Sequence, residues 1–407
     1  MSQGVDPDGE ADAGSMRASP SQGSPGADSG GASPLPRVWV LADDRPGNTT
    51  QSVGLAESLA WPYEIKQLRC RLFAGLHNRL LRASLRGIHR GGSSPLEPPW
   101  PALVIAAGRR TAPVALWIRE QSGGRTRLVE LGRKGGDAAE LFDLSVIPEY
   151  GRLLPHPNRI VTRAPLTRIT PELLEAASEQ WRDTLVEAGA APRIAFLVGG
   201  SSGQYWLGAE GARRMGEEVA EMARRAGGSL FVTTSRRTGE AATRALQTGL
   251  GPVACFYAWR PDADAAGNPY RGYLALADAF VITGDSESIL AEACSTGSPV
   301  YVYPLPVRPS FRVLRFFRES VVRLAQAGTG SYRDAPQRKG LEAFCAWLIS
   351  RGFVRPTRDL DLLHDSLVEE GVLQRFGAPY APSDRGPLCE VEQVADRVRG
   401  LMSATGT

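Results

Sequence analysis

The strongest constraint on this chain is a strand–loop–helix unit that runs several times and then restarts. Residues 36–60, PRVWVLADDRPGNTTQSVGLAESLA, read as an apolar strand, an Asp/Gly/Asn loop and a helix. YEIKQL, ALVIAAG, RLVEL and LSVIP follow as further strands. Near Arg193 the pattern begins again with PRIAFLVGGSSGQYW, then SLFVTTS, VACFYAW, AFVITG and PVYVYPL. A strand covered on both faces has no polar alternation to show, so continuous apolar runs between helices point to parallel sheets. Two such series predict an α/β protein of two Rossmann-like, doubly wound domains facing a cleft. The expected division is a tail at 1–36, a first domain at 37–165, a linker at 166–192, a second domain at 193–330 and a C-terminal helical region at 331–407.

The length of 407 residues suits two domains of about 100–200 residues each. The tail is Gly, Ser, Ala, Pro and Asp with almost no large apolar side chain. It cannot bury enough surface to offset its ordering entropy and is expected to be disordered. It has no apolar core for a signal peptide and is too acidic for a mitochondrial transit peptide. No run approaches the ~20 apolar residues of a membrane span. A net charge of +3 gives no argument for nucleic acid. The five cysteines never form a CxxC pair and the four histidines are scattered, so neither a disulfide framework nor a zinc site is expected. A cytoplasmic location follows as the expectation.

In open parallel sheets ligands bind beyond the carboxyl ends of the strands. The loops LADDRPGN, IAAGRRTAP, LVGGSSGQ, VTTSRRTG and VITGDSES are therefore expected to converge. Glycine lets backbone approach a ligand, and N–H groups at a helix start favour anions. Gly199, Gly200, Ser201 and Ser202 suit a phosphate, as do Gly284, Ser286 and Ser288, in a polar cluster with Asp285 and Glu287. Arg236 and Arg237 add charge-assisted bonds. Glu292 lies six residues after Ser286, where its carboxylate is placed to accept both hydroxyls of a ribose. The plainer alternative makes Ser286 a helix N-cap, Glu287 a first-turn acid and Glu292 a surface charge.

Other motifs carry less. GxxxxGK[ST] is absent, and no GxGxxG follows the first strand. GGSSG at 199–203 formally matches a GxSxG nucleophile elbow, but His364 would have to reach it from far downstream. DAD at 262–264 is a metal-binding pair or, more simply, a solvated loop. From Lys66 to Arg90 six arginines interleave with leucines and no acid. That stretch reads as a basic amphipathic helix resting on an anionic membrane, or as an ordinary helix packed on the sheet.

LADDRPGNTTQSVGLAESL, VIAAGRRTAPVALWI, LVGGSSGQY, FVTTSRRTG and VITGDSESILAEACSTGSPVYVY, in this order over most of 37–305, resemble the bacterial and plant mitochondrial fission factor family of the elongated-mitochondria type. The plant member is described as a surface factor that recruits a dynamin-related protein, a role bacterial members cannot perform. DSESILAEACSTGSPVYVYPL is also similar to the donor-binding segment of GT-B glycosyltransferases, such as the lipid-linked N-acetylglucosaminyltransferase of cell-wall synthesis. That resemblance implies that Ser286 and Ser288 meet a diphosphate, that Glu292 holds the ribose, and that Gly199, Gly200 and Ser201 line the phosphates. The first loop departs from the pattern, with ADDRPGN where many such enzymes carry a Gly-rich loop and a histidine. Asp43 or Asp44 is then the candidate base, unless the pair only caps the following helix.

The expectation is a GT-B-type glycosyltransferase that takes a nucleotide diphosphate-sugar donor. It would use neither a tightly held metal nor an organic cofactor. The acceptor, lipid-linked or of the cell envelope, would be met with peripheral contact at the inner face of a membrane through 66–90. The alternative is a catalytically inactive scaffold of the fission-factor type. An epimerase ranks last, because no lysine has a tyrosine four residues before it.

Overall fold

Twelve strands form two six-stranded sheets, parallel throughout, in a computed structural model that describes residues 35–71, 74, 81–132, 141–154, 156–261, 267–326, 339–350, 353–354, 360–382 and 386–403. All but the end of the expected disordered tail, and the DAD sequence, lie outside these residues. The first sheet contains β1 (Val38–Ala42), β2 (Tyr63–Gln67), β3 (Leu103–Ala107), β4 (Arg127–Leu131), β5 (Leu144–Pro148) and β6 (Arg159–Thr162). Its order is β2-β1-β3-β4-β5-β6. The second contains β7 (Arg193–Val198), β8 (Ser229–Thr234), β9 (Cys255–Tyr257), β10 (Ala279–Thr283), β11 (Val300–Tyr303) and β12 (Leu373–Arg375). Its order, β12-β11-β10-β7-β8-β9, is the doubly wound Rossmann order.

The helices are α1 (Pro46–Leu59), α2 (Ala112–Gln121), α3 (Pro171–Ala188), α4 (Ala209–Arg225), α5 (Glu240–Leu250), α6 (Tyr270–Leu276), α7 (Glu287–Cys294), α8 (Pro309–Gln326), α9 (Gly340–Ser350), α10 (Leu360–Glu369) and α11 (Val391–Ser403). None of them is long and apolar enough to cross a membrane. The central strands β1, β3 and β10 are buried at every position, as their unbroken apolar sequences require. Each fully buried Val, Leu or Ile there contributes about 1.5–3 kcal/mol of transfer free energy.

Three expectations need correction. The basic stretch from Lys66 to Arg90 is not one helix. Lys66 and Gln67 end the edge strand β2, where the Lys66 ammonium lies 4.3 Å from the centre of the Trp39 ring. The cation is held by a ring face and by Glu64 at 2.6 Å, which suits strand geometry and not a solvated helical face. Cys70 bridges to Ile88 in antiparallel fashion, and residues 82–90 form bends and turns. Residues 72–73 and 75–80 lie outside the described residues.

Residues 166–192 are also more than a linker. They carry α3, capped by Thr170, whose Oγ1 accepts the Leu173 N–H at 3.2 Å. Leu185 of α3 is buried in the second sheet's core and Trp181 packs against it. The C-terminal region, finally, is not only helical. It supplies β12, which extends the second sheet beside β11, with Val300 opposite Leu373. Its last helix, α11, returns to the first sheet: Val394, Ala395 and Val398 join that core, and the Ser58 hydroxyl donates to Glu392 at 2.7 Å.

Candidate functional site

Each sheet has one point where the strand order reverses, and such a switch point opens a crevice at the carboxyl ends. In the second sheet it falls between β7 and β10. The loops after β7, β8 and β10 meet there around Asp285, whose side chain is wholly buried. Its carboxylate accepts the Gly200 N–H at 3.1 Å, the Thr283 hydroxyl at 2.8 Å and the Arg237 guanidinium at 2.9 Å. The Thr283 oxygen in turn accepts the Gly199 N–H at 2.7 Å. Burial pushes the Asp285 carboxyl above its ordinary value, and Arg237, Thr283 and Gly200 pull it part of the way back.

This arrangement explains both glycines. A Cβ on Gly199 would stand 2.4 Å from Asp285 Oδ1, and Gly200, at φ +141°, would place one 2.3 Å from the Arg237 carbonyl oxygen. Their amide protons are thus given to the protein's own acid and threonine. Ser201 accepts the Leu207 N–H at 3.0 Å, and Ser202 closes a tight turn with Tyr205. The next helix, α4, begins only at Ala209, so this loop is not the strand-to-helix elbow of a serine hydrolase. His364, on α10, packs at Gly284 instead, where an added Cβ would meet its Cε1 at 2.9 Å. Burial holds its imidazole down to about 4.

The start of α7 is different. Ser286 occupies the N-cap position, but its side chain makes no cap bond. Neither the Ser286 nor the Ser288 hydroxyl has a hydrogen-bond partner among the described residues. The start of α1 lies alongside, since a Cβ on Gly47 would sit 3.4 Å from Ser288 Oγ. Arg236 is exposed and forms no ion pair among the described residues. Glu287 is in the first turn of α7, where a carboxylate favours the helix dipole. Glu292, one turn further, is half-buried and accepts a hydrogen bond from the Tyr270 hydroxyl of α6. Burial raises its carboxyl, while Tyr270 and Arg271 act against the rise. Tyr270 is itself driven well above its ordinary value by burial and by that neighbouring acid.

In the first sheet the reversal falls between β1 and β3. Asp43, at the end of β1, is 8% exposed. It accepts the Arg45 N–H at 3.2 Å and the Asn48 amide at 3.4 Å. Burial raises its carboxyl; Arg45 and Asn48 lower it again, and Asp44 adds to the rise. Asp44 is exposed and paired with Arg110 from the loop after β3. The N-cap of α1 is Arg45 and carries no side-chain cap bond, so the acid pair is not a conventional cap. Cys70, which no sequence motif singled out, sits beside them, with one ligand atom of each of the three within 4.8 Å of the others. The carboxylate oxygens of that group already accept from Arg45, Asn48 and Arg110.

Two Rossmann-like halves, with the last helix returned to the first, make this a GT-B-like α/β protein. The chain belongs to the mitochondrial fission ELM1 family, whose model matches residues 46–328. It is 28% identical over 245 residues to the mitochondrial fission protein ELM1 of Arabidopsis thaliana, covering 55% of this chain and 56% of that protein. The chain therefore spans little more than half the length of this relative. An uncharacterised protein of Rickettsia prowazekii (strain Madrid E) is 24% identical over 337 residues, covering 71% of this chain and 92% of its own length. Among solved structures, the UDP-GlcNAc 2-epimerase of Neisseria meningitidis bound to UDP-GlcNAc has a TM-score of 0.40 at 12% identity, covering 82% of this chain and 100% of that one. MurG of Acinetobacter baumannii has a TM-score of 0.36 at 14% identity, covering 90% and 99%.

Proposed function

We propose that the protein is a GT-B-type glycosyltransferase, moving a sugar from a nucleotide diphosphate donor on the second half to an acceptor on the first. One observation carries the reading. The Ser286 and Ser288 hydroxyls stand uncommitted at a helix N-terminus, at a topological switch point, beside the opening turn of α1. A diphosphate there would meet both hydroxyls and the amino-terminal end of α7, with Arg236 near enough in sequence to Arg237 to add charge. Glu292 would offer the ribose the carboxylate oxygen that Tyr270 does not occupy. Gly199, Gly200 and Asp285 act differently from the initial expectation, as the rigid wall behind the site.

On the acceptor side Asp43 takes the role of base, because its burial raises its affinity for a proton. The acceptor hydroxyl gives its proton to the Asp43 carboxylate, its oxygen bonds the anomeric carbon, and the bond from that carbon to the diphosphate oxygen breaks. Asp44 and its Arg110 partner border the same loop. The departing charge is met by helix amides and arginine, with no tightly held metal. The acceptor is a lipid-linked or cell-envelope molecule, and the protein works at the inner face of a membrane.

The test is calorimetric titration of UDP, GDP, ADP, dTDP and CMP into the wild-type protein and Glu292→Ala. Micromolar binding of one nucleotide is expected, weakened about 10- to 100-fold in the variant through loss of charged hydrogen bonds of about 1.5–3 kcal/mol. Flat traces for all five would sink the proposal.

The second reading, an inactive interaction scaffold, is favoured by a different observation. Asp285 and Glu292 are both already partnered inside the protein, by Arg237 and Tyr270. It predicts those flat traces, together with capture of a protein partner.

A further inference from the structure

The helices α8 and α9 bury one face and leave the other bare. Val321, Val322 and Ala325 of α8 share an apolar cluster with Cys345, Ala346 and Ile349 of α9. Exposed on the same two helices are Phe316 (70% exposed), Phe317 (58%), Leu341 (61%), Phe344 (55%), Trp347 (44%) and, just past α9, Phe353 (67%). Three of these rings form a stacked row: Phe344 and Trp347 are 6.0 Å apart between centroids, and Trp347 and Phe353 5.4 Å. Scattered exposed apolar residues need no explanation, but a preformed, exposed aromatic row marks a surface meant to be covered.

The charge of these segments says by what. Residues 308–355 contain ten arginines and lysines against three acids, in a chain whose whole net charge is only +3. Arg315 is tied to Glu319 and Asp361. Arg318 and Arg323 form no ion pair among the described residues, and Arg323 is exposed next to Leu324. A second copy of the same face would bring like charges together. Exposed aromatic rings on helices that also carry unpaired arginines fit a bilayer boundary, where the rings seat at headgroup depth and the guanidinium groups meet anionic headgroups.

We propose that the bare face of α8 and α9 docks the protein onto an anionic lipid surface. The inference stands on this face alone and does not depend on any reaction. It also moves membrane contact away from the 66–90 segment.

The test is flotation with vesicles of phosphatidylcholine and phosphatidylglycerol in equal parts, against vesicles of phosphatidylcholine alone. Wild-type protein should float with the anionic vesicles and not with the neutral ones. Phe316→Ser/Phe317→Ser and Phe344→Ser/Trp347→Ser should each weaken binding about tenfold or more, with circular dichroism unchanged. If either double variant misfolds, bromolipid quenching replaces it: part of the tryptophan fluorescence should be quenched, and Trp347→Phe should abolish that part. The proposal is overturned if the wild type fails to float on the anionic vesicles, or if folded variants bind as well as it does. It also fails if quenching persists in Trp347→Phe, or if sedimentation shows a dimer that these substitutions dissociate.

Discussion

The two switch points are built alike and differ in burial. At each, an acid beyond a strand end meets an arginine from the loop of another strand: Asp44 with Arg110 in the first half, from the adjacent β3, and Asp285 with Arg237 in the second, from β8 one strand further on. The Asp44 side chain is 63% exposed and that of Asp285 is 0% exposed. In water an ion pair is worth little and rearranges readily. Buried, an acid must have its lone pairs filled, so Asp285 gathers backbone amide, hydroxyl and guanidinium and fixes three loops together. The second crevice is therefore a rigid frame with two idle serine hydroxyls at its edge. The first is an adjustable one around the buried Asp43.

The largest effect expected from breaking this contrast is Asp285→Ala. It leaves the Gly200 N–H, the Thr283 hydroxyl and Arg237 without their acceptor, and should lower the unfolding free energy by about 3 kcal/mol. An unchanged denaturation midpoint would mean the cluster is no clamp. Gly199→Ala should cost about 2 kcal/mol by overlap with Asp285, and much of that loss should vanish in an Asp285→Ala background. Strict additivity of the two substitutions would show that the glycine serves something else.

The pH dependence of stability sharpens the comparison, because two residues contribute with opposite sign. His364, at the second corner, is held down to about 4 from an ordinary 6.5. Between those values the unfolded chain binds a proton that the folded one declines. Its contribution is therefore full above about 6.5 and is lost as pH falls through about 4. Asp43, at the first corner, is raised from 3.8, so its contribution is full below 3.8 and declines as pH rises through its folded value. Denaturant titrations across this range should show a flatter acid limb in His364→Gln and the opposite change in Asp43→Asn. Identical profiles would contradict the burial argument.

Smaller effects should follow at the edges. Arg110→Ala, at the exposed pair, should cost less than about 1 kcal/mol. Ser286→Ala removes no cap bond and should change stability by less than about 0.5 kcal/mol. If the donor reading holds, the same variant loses nucleotide affinity several-fold. A stability loss typical of a lost N-cap would show that the hydroxyl is structural.

Ten of the twelve strands were legible in the sequence, because a parallel strand covered on both faces is a continuous apolar run. The two that were missed are the short sheet-edge strands β6 and β12. Arg159–Thr162 is only partly buried, and Leu373–Arg375 is three residues long and lies far from its sheet in the chain. The basic stretch at 66–90 misled for a related reason. Its helical spacing is genuine, but the edge of the sheet claims its first residues, and the Trp39 ring takes the lysine.

Composition and local pattern determined the two α/β halves, their loops at the carboxyl ends and the residues gathered there, since hydrophobic periodicity and glycine placement are written into neighbouring residues. Only the tertiary structure decided what those residues do to one another. Asp285 and Arg237 are 48 positions apart, Tyr270 and Glu292 22, and Ser58 and Glu392 334. Whether a carboxylate is left open to a ligand or satisfied by the protein depends on which distant loop is brought against it, and that is settled by strand order and burial.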